Sequence, residues 1–369
     1  MATISAASSF NLAGGANFTT VGNFSDKGTL SVGAGSTFAV APTFKLTNFS
    51  TGTDTLTGGT YDVTGLLKFA GANIVTNAAK IMLTGAAAEI ENSTTTGNGL
   101  ANFATNAATG SLTLAGAANL TTPGGVSNAG KVTIGSGSTF TAGGAGVYTQ
   151  TAGTTTDGGT LAASGGVTLS GGSLFGAGAV TGNLQSSGIV TPGASATKAG
   201  ILTDTGTYTQ NAAGSLDIGI AGATAGTKYD VLSATSAALG GTLNISEIKG
   251  YVPTVGSTFK ILTTTGTETG TFATVNGLTI NGTEAYTVTY QPTDVLLTVV
   301  SAAAPASLAT RISDTRLIGS EDARLTSALR EFNAGYVVEG TRFTARNAVA
   351  TPRALARTRM MDLVKELHR

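Results

Sequence analysis

One block keeps returning in this chain: glycine, a short apolar/polar alternation, Gly-Ser-Thr-Phe, then more glycine. It reads GTLSVGAGSTFAV from Gly28 to Val40 and GKVTIGSGSTFTAGG from Gly130 to Gly144, with a diluted copy, VGSTFKIL, from Val255 to Leu262. A strand-plus-turn unit repeated in sequence stacks on itself, because one unit alone cannot bury its apolar face. Gly110-Ser-Leu-Thr-Leu114 and Gly130-Lys-Val-Thr-Ile134 open 20 residues apart, as do Gly146-Val147 and Gly166-Val167. Tyr148-Thr-Gln150 returns as Tyr208-Thr-Gln210 after 60 residues, or three such steps. A 20-residue step holds about three short strands with tight corners. The spacing therefore predicts a parallel β-helix over residues 1–226, right-handed because β-crossovers strongly prefer that hand. Alternation places Leu30, Val32, Phe38, Val40, Val132, Ile134 and Phe140 inside, and mostly Thr, Ser, Asn and Ala outside.

Composition agrees with such a wall. Only 11% of residues are charged and 53 are glycine, yet 41% are hydrophobic, which argues against disorder. No strict Gly-X-Y period exists, so collagen is excluded, and the absence of cysteine rules out disulfides and thiolate chemistry. No run of 18 apolar residues marks a membrane-spanning helix. MATISAASSFNLAGG carries neither the basic nor the apolar region of a signal peptide.

The formal net charge of zero conceals a split. Residues 1–301 hold nine Lys, no Arg and 13 acids; residues 302–369 hold ten Arg, one Lys and seven acids, with only three glycines. A boundary is expected at Ser301-Ala-Ala-Ala-Pro305. Before it, residues 227–301 carry longer, bulkier strands and the hairpin-type turns Asn276-Gly277 and Asn281-Gly282, so an antiparallel, sandwich-like cap is expected there. Beyond it, Ser320 with Leu325, Leu329 and Phe332 predicts a capped helix, and Gly335–Val349 a short hairpin. Thr351-Pro352 opens a second helix with the apolar stripe Met360, Leu363, Val364, Leu367. Within residues 1–226, Ala78–Ala108 is less regular, and Glu91–Gly99 (ENSTTTGNG) predicts a looser corner or projecting loop.

The ordered string YTQTAGTTTDGGTLAASGGVTLSGGSLFGAGAVTGNLQSSGIVTPGASATKAGILT, Tyr148–Thr203, resembles the passenger-associated repeats of autotransporter-type surface proteins. Tyr229–Gly277 is similar to the segment that closes such passengers. The resemblance covers about Gly28 to Ser301 and implies a secreted or surface-displayed β-helix used for adhesion or as a scaffold. The translocating β-barrel of that family needs many alternating strands of about ten residues, and the Arg-rich residues 302–369 do not read as one.

Catalytic and ligand-binding patterns were weighed against simpler readings. The one histidine, His368, is penultimate, so a histidine triad or histidine metal site is not expected. No Gly-Lys-Ser/Thr string exists for phosphate binding. Glycosidase chemistry needs a carboxylate pair on a sugar-gripping groove. Glu89 and Glu91 are the acidic i, i+2 pair, and Glu247 and Glu268, 21 residues apart, are candidates for stacking. The chain has no Trp, and no basic residue recurs with these acids, so solvated surface acids are the expected reading. Asp157-Gly-Gly159 reads as a turn rather than a cation site. Arg353, Arg357 and Arg359 are diluted by acids and accompanied by few aromatics, so nucleic-acid binding is not expected.

The sequence thus predicts an all-β structural or adhesive protein, extracellular or at the cell surface. It is expected to work without catalytic, cofactor or metal residues, binding through Thr/Ser/Asn-rich faces. Its expected partners are a host-surface or carbohydrate ligand, or further copies joined through the solenoid ends or the C-terminal helices. The alternatives are a carbohydrate-active β-helix enzyme, lyase or tailspike-like hydrolase, and a subunit of an extracellular filament.

Overall fold

The computed structural model describes residues 1–302 and two further strands, Tyr336–Glu339 and Arg342–Ala345. The chain divides into two units, Met1–Ala302 and Ala303–Arg369. In the second, Tyr336 lies opposite Ala345 and Glu339 opposite Arg342 in an antiparallel pair, within the span expected to form a hairpin. The two expected helices and the stripe Met360, Leu363, Val364, Leu367 lie outside the described residues.

Met1–Ala302 is strand and corner almost throughout, and most strands pair in parallel with the third strand after them. Three faces result, the arrangement of a parallel β-solenoid. On the second face, inward residues stack in one parallel column. Leu112 lies opposite Val132, then follow Thr155, Leu174, Val190, Leu216, Leu243 and Val275. On the third face Leu120, Phe140, Leu161 and Val180 do the same. Every residue of the expected inward set, from Leu30 to Phe140, is buried. The three Gly-Ser-Thr-Phe copies also match: Phe38, Phe140 and Phe259 are all buried, each at the second position of a third-face strand. The Tyr-Thr-Gln copies fall on the first face, three pairings apart, with both tyrosines and both glutamines buried.

The coil is not constant in length. Asn119 bonds across one coil to Thr139, 20 residues on, and Asn106 to Asn128, 22 on. Asn77 reaches Asn106, 29 residues on, because Glu91–Gly99 turns outward as expected, with Thr94–Asn98 exposed. Asn92 Oδ1 closes that turn by accepting from the Thr94 and Gly71 amides. Later coils lengthen to the 30 residues between Gly200 and Asp230 and the 32 between Thr242 and Thr274.

This lengthening corrects the expected sandwich-like cap over residues 227–301. Val231–Ala234, Thr242–Glu247, Thr258–Thr264 and Thr274–Asn276 all continue the parallel ladders. Only two strands run antiparallel: Asp294–Ser301 against Thr258–Thr264, and Glu284–Gln291 against Asp294–Ser301. Longer strands and bulkier residues came from larger coils, not from a new sheet type. Parallel and antiparallel strands share the same two-residue alternation, so that pattern does not separate them. Asn281-Gly282 is a reversing turn, since Thr279 bridges antiparallel to Ala285. Asn276 instead ends the last parallel strand, and Gly277 follows it.

Candidate functional site

A coil must turn three times without leaving buried backbone groups unpaired, since each such group costs about 1–3 kcal/mol. The chain solves this with Asn or Asp two residues before a glycine. Asp26, Asn128, Asp157 and Asp204 each place Oδ1 on the amide of Gly28, Gly130, Gly159 and Gly206, at 2.9–3.1 Å. The glycines are needed for space. A Cβ on Gly28 would strike the carbonyl oxygen of Ser8, and one on Gly159 that of Ser138. Asp157-Gly-Gly159 is therefore a turn. Among the described residues no group of three or more His, Cys, Asp or Glu is placed to hold a metal ion.

At the corner between first and second faces, several coils turn an amide inward. Asn77 Nδ2 donates to Asn106 Oδ1 at 3.0 Å, and Asn106 Nδ2 to Asn128 Oδ1 at 2.8 Å. Asn106 Nδ2 also lies 3.1 Å from the Lys131 carbonyl, and Gln150 Nε2 2.8 Å from that of Ser173. Gln210 repeats the pattern, donating to the carbonyls of Gly214, Gly240 and Thr242 while accepting from Tyr208.

Three corners are instead closed by carboxyls: Asp26 at this same corner in an earlier coil, just before the second-face strand Thr29–Val32, and Asp157 and Asp204 at the other two. Oδ2 of Asp26, Asp157 and Asp204 has no hydrogen-bond partner. Burial drives their pKa values up from 3.8, to about 7 for Asp157 and about 6 for Asp204, against the pull of their backbone bonds. Asp230 is different: its two oxygens accept from Gly200 at 2.9 Å and Gly219 at 2.8 Å. Burial still lifts it to about 7. Asp230 thereby fixes one root of the loop Gly193–Gly200, whose tip, Ala194–Lys198, is exposed.

That loop closes a groove of about 670 Å³ on the outer side of the second face. The floor crosses successive strands through Ser111, Lys131, Thr154, Thr156 and Phe175, and Ala194–Ala196 form the end wall. Its walls and floor carry hydroxyls, one lysine and one aromatic ring, and no acid. The arrangement suits binding of an extended chain along the solenoid axis. It lacks the carboxylate pair that glycoside cleavage requires.

The acids considered from the sequence lie away from this groove. Glu89 and Glu91 do share a strand, Glu89–Asn92, but Glu91 is nearly buried and pairs with Lys68 at 2.8 Å. Glu247 and Glu268 are not stacked: Glu247 lies opposite Ile220 and Glu268 opposite Ala237. Glu268 instead has a raised pKa, from burial first and the nearby Asp294 second. Arg353, Arg357, Arg359 and His368 lie outside the described residues. Lys131, Phe175 and the loop Gly193–Gly200 were not singled out from sequence, because their alignment appears only once unequal coils are in register. No protein-family profile matches the chain, and no curated protein matches it.

Proposed function

We propose that this chain is a structural and adhesive solenoid of a secreted or surface-displayed protein, right-handed in its winding, that binds through its outward Thr/Ser/Asn-rich faces without catalysis. The observation that carries the reading is the groove over Ser111, Lys131, Thr154 and Phe175, which offers hydroxyls and a ring to a ligand but no acid to do chemistry. The resemblance of Tyr148–Thr203 to passenger repeats points the same way. The test is retention of the full chain on immobilised polysaccharides and matrix proteins, run beside assays for reducing ends and unsaturated sugars. Retention without product is expected. Product formation abolished by Glu89→Gln, or no retention on any surface, would overturn the reading.

A second reading, self-association through a solenoid end, is supported by the first coil. The edges of Ala2–Ile4, Ser9–Leu12 and Asn17–Thr20 that face away from the second coil have no partner strand among the described residues. Phe18 and Val21 beside them are 41% and 93% exposed. Unpaired, uncharged edges invite strand addition. Light scattering across a concentration series tests it, with a constant monomer mass as the contrary result.

A further inference from the structure

The face that carries the groove has a charge pattern as well as a shape: Lys131 lines the groove, and Lys80 lies just outside it, two strands earlier in the same outward column. On the outer side of the second face, Lys80 lies opposite Ser111 and Ser111 opposite Lys131 in parallel register. Both lysines are exposed, and neither takes part in the two ion pairs of the described residues, Lys68–Glu91 and Lys260–Asp294. Two strand spacings separate them, about 10 Å along the solenoid axis. The acids of this face lie beyond the two ends of the groove. Asp62 lies opposite Met82, on the Lys80 side. Asp217, past the closing loop, already accepts from Asn244 Nδ2 at 2.6 Å. Phe175 sits farther along on the outward side, half-buried, its strand partner being Thr156.

Two positive charges two strands apart, with a hydroxyl between them and a ring farther along, are complementary to one ligand chemistry. Their spacing is comparable to a disaccharide of an extended polysaccharide. We propose that this face binds a linear anionic glycan bearing one carboxylate or sulfate per disaccharide. The glycan lies along the axis with its charges over Lys80 and Lys131 and a sugar face on Phe175, and the loop Gly193–Gly200 stops its end. The proposal rests on the adhesive reading above and names the ligand class for it.

The test is calorimetric titration of the full chain with hyaluronan oligosaccharides, which carry one carboxylate per disaccharide, beside neutral cello-oligosaccharides of equal length. The expected result is binding of the anionic series alone, weakening as salt rises. Lys80→Gln and Lys131→Gln should each weaken it about threefold, and Phe175→Ala about tenfold. All three side chains point outward, so unchanged circular dichroism confirms that each variant is folded. Equal binding of the neutral series, or lysine variants that bind as wild type, would overturn the proposal while leaving a glycan-binding solenoid in place. No oligosaccharide binding, from a chain still retained on other surfaces, would overturn the proposal and spare the adhesive reading. A chain retained on no surface would overturn both.

Discussion

Two kinds of corner hold this solenoid together, and they differ in one respect. Asn77, Asn106, Asn128 and Gln150 close the corner between the first two faces with amides. Asp26 closes that corner in an earlier coil with a carboxyl, and Asp157 and Asp204 close the other two corners with carboxyls. Both accept the amide of a residue just beyond the turn. An amide also donates, so it joins coil to coil and satisfies the carbonyls that converge on it. An ionised carboxylate cannot donate, and here each leaves one buried oxygen unpartnered. A turn closed by an amide is thus indifferent to pH and one closed by a carboxyl is not. Asp230 separates the two effects, because both its oxygens are used.

Asn106→Leu should have the largest effect. It strips the partner from Asn77 Nδ2 and from the carbonyls of Gly110 and Lys131, costing about 3–5 kcal/mol in urea unfolding. That equals the roughly 3–5 kcal/mol expected for emptying the core with Phe140→Ala. A loss below about 1 kcal/mol would mean the amide column carries little. Next come the carboxyls. Asp157→Asn and Asp204→Asn keep the acceptor and remove a buried charge, so each should stabilise the fold at pH 8 by about 1–2 kcal/mol. Asp230→Asn removes one of two used acceptors and should destabilise it by about 1–2 kcal/mol. The same sign for all three would break the distinction. The smallest effect belongs to the outward face: Lys131→Gln should change stability by less than about 0.5 kcal/mol, and a larger loss would place Lys131 in the fold rather than at the groove.

The inward skeleton was legible because the Gly-Ser-Thr-Phe and Tyr-Thr-Gln repeats mark equivalent positions directly. Phe38 and Phe140 needed only the alternation rule. The continuation of parallel ladders past residue 227 was not legible, because pairing direction depends on where a strand's partner lies, and coils of 30 residues hide that partner. The pairing of two lysines on the face that carries the groove failed to appear for the same reason. Lys80 and Lys131 are 51 positions apart in the chain and two strands apart in the fold, with the turn at Glu91–Gly99 between them. Of the buried aspartates only Asp157 stood out, in the turn string Asp157-Gly-Gly159; Asp230 is followed by Val-Leu, and whether a second carboxyl oxygen is paired depends on neighbouring coils.

The most direct measurement is the urea midpoint of the wild-type chain and of the Asp157→Asn/Asp204→Asn double variant at pH 5 and pH 8. Folded pKa values raised from 3.8 to about 6 and about 7 mean that the folded state holds these protons more tightly than the unfolded chain. Their contribution to stability is full below pH 4 and is lost as pH rises through 6 and 7. The wild type should therefore unfold at a higher midpoint at pH 5 than at pH 8, and the double variant should narrow that gap by rising at pH 8. A wild type more stable at pH 8, or a gap the variant leaves unchanged, would contradict the assignment of these carboxyls as the strained corners of the solenoid.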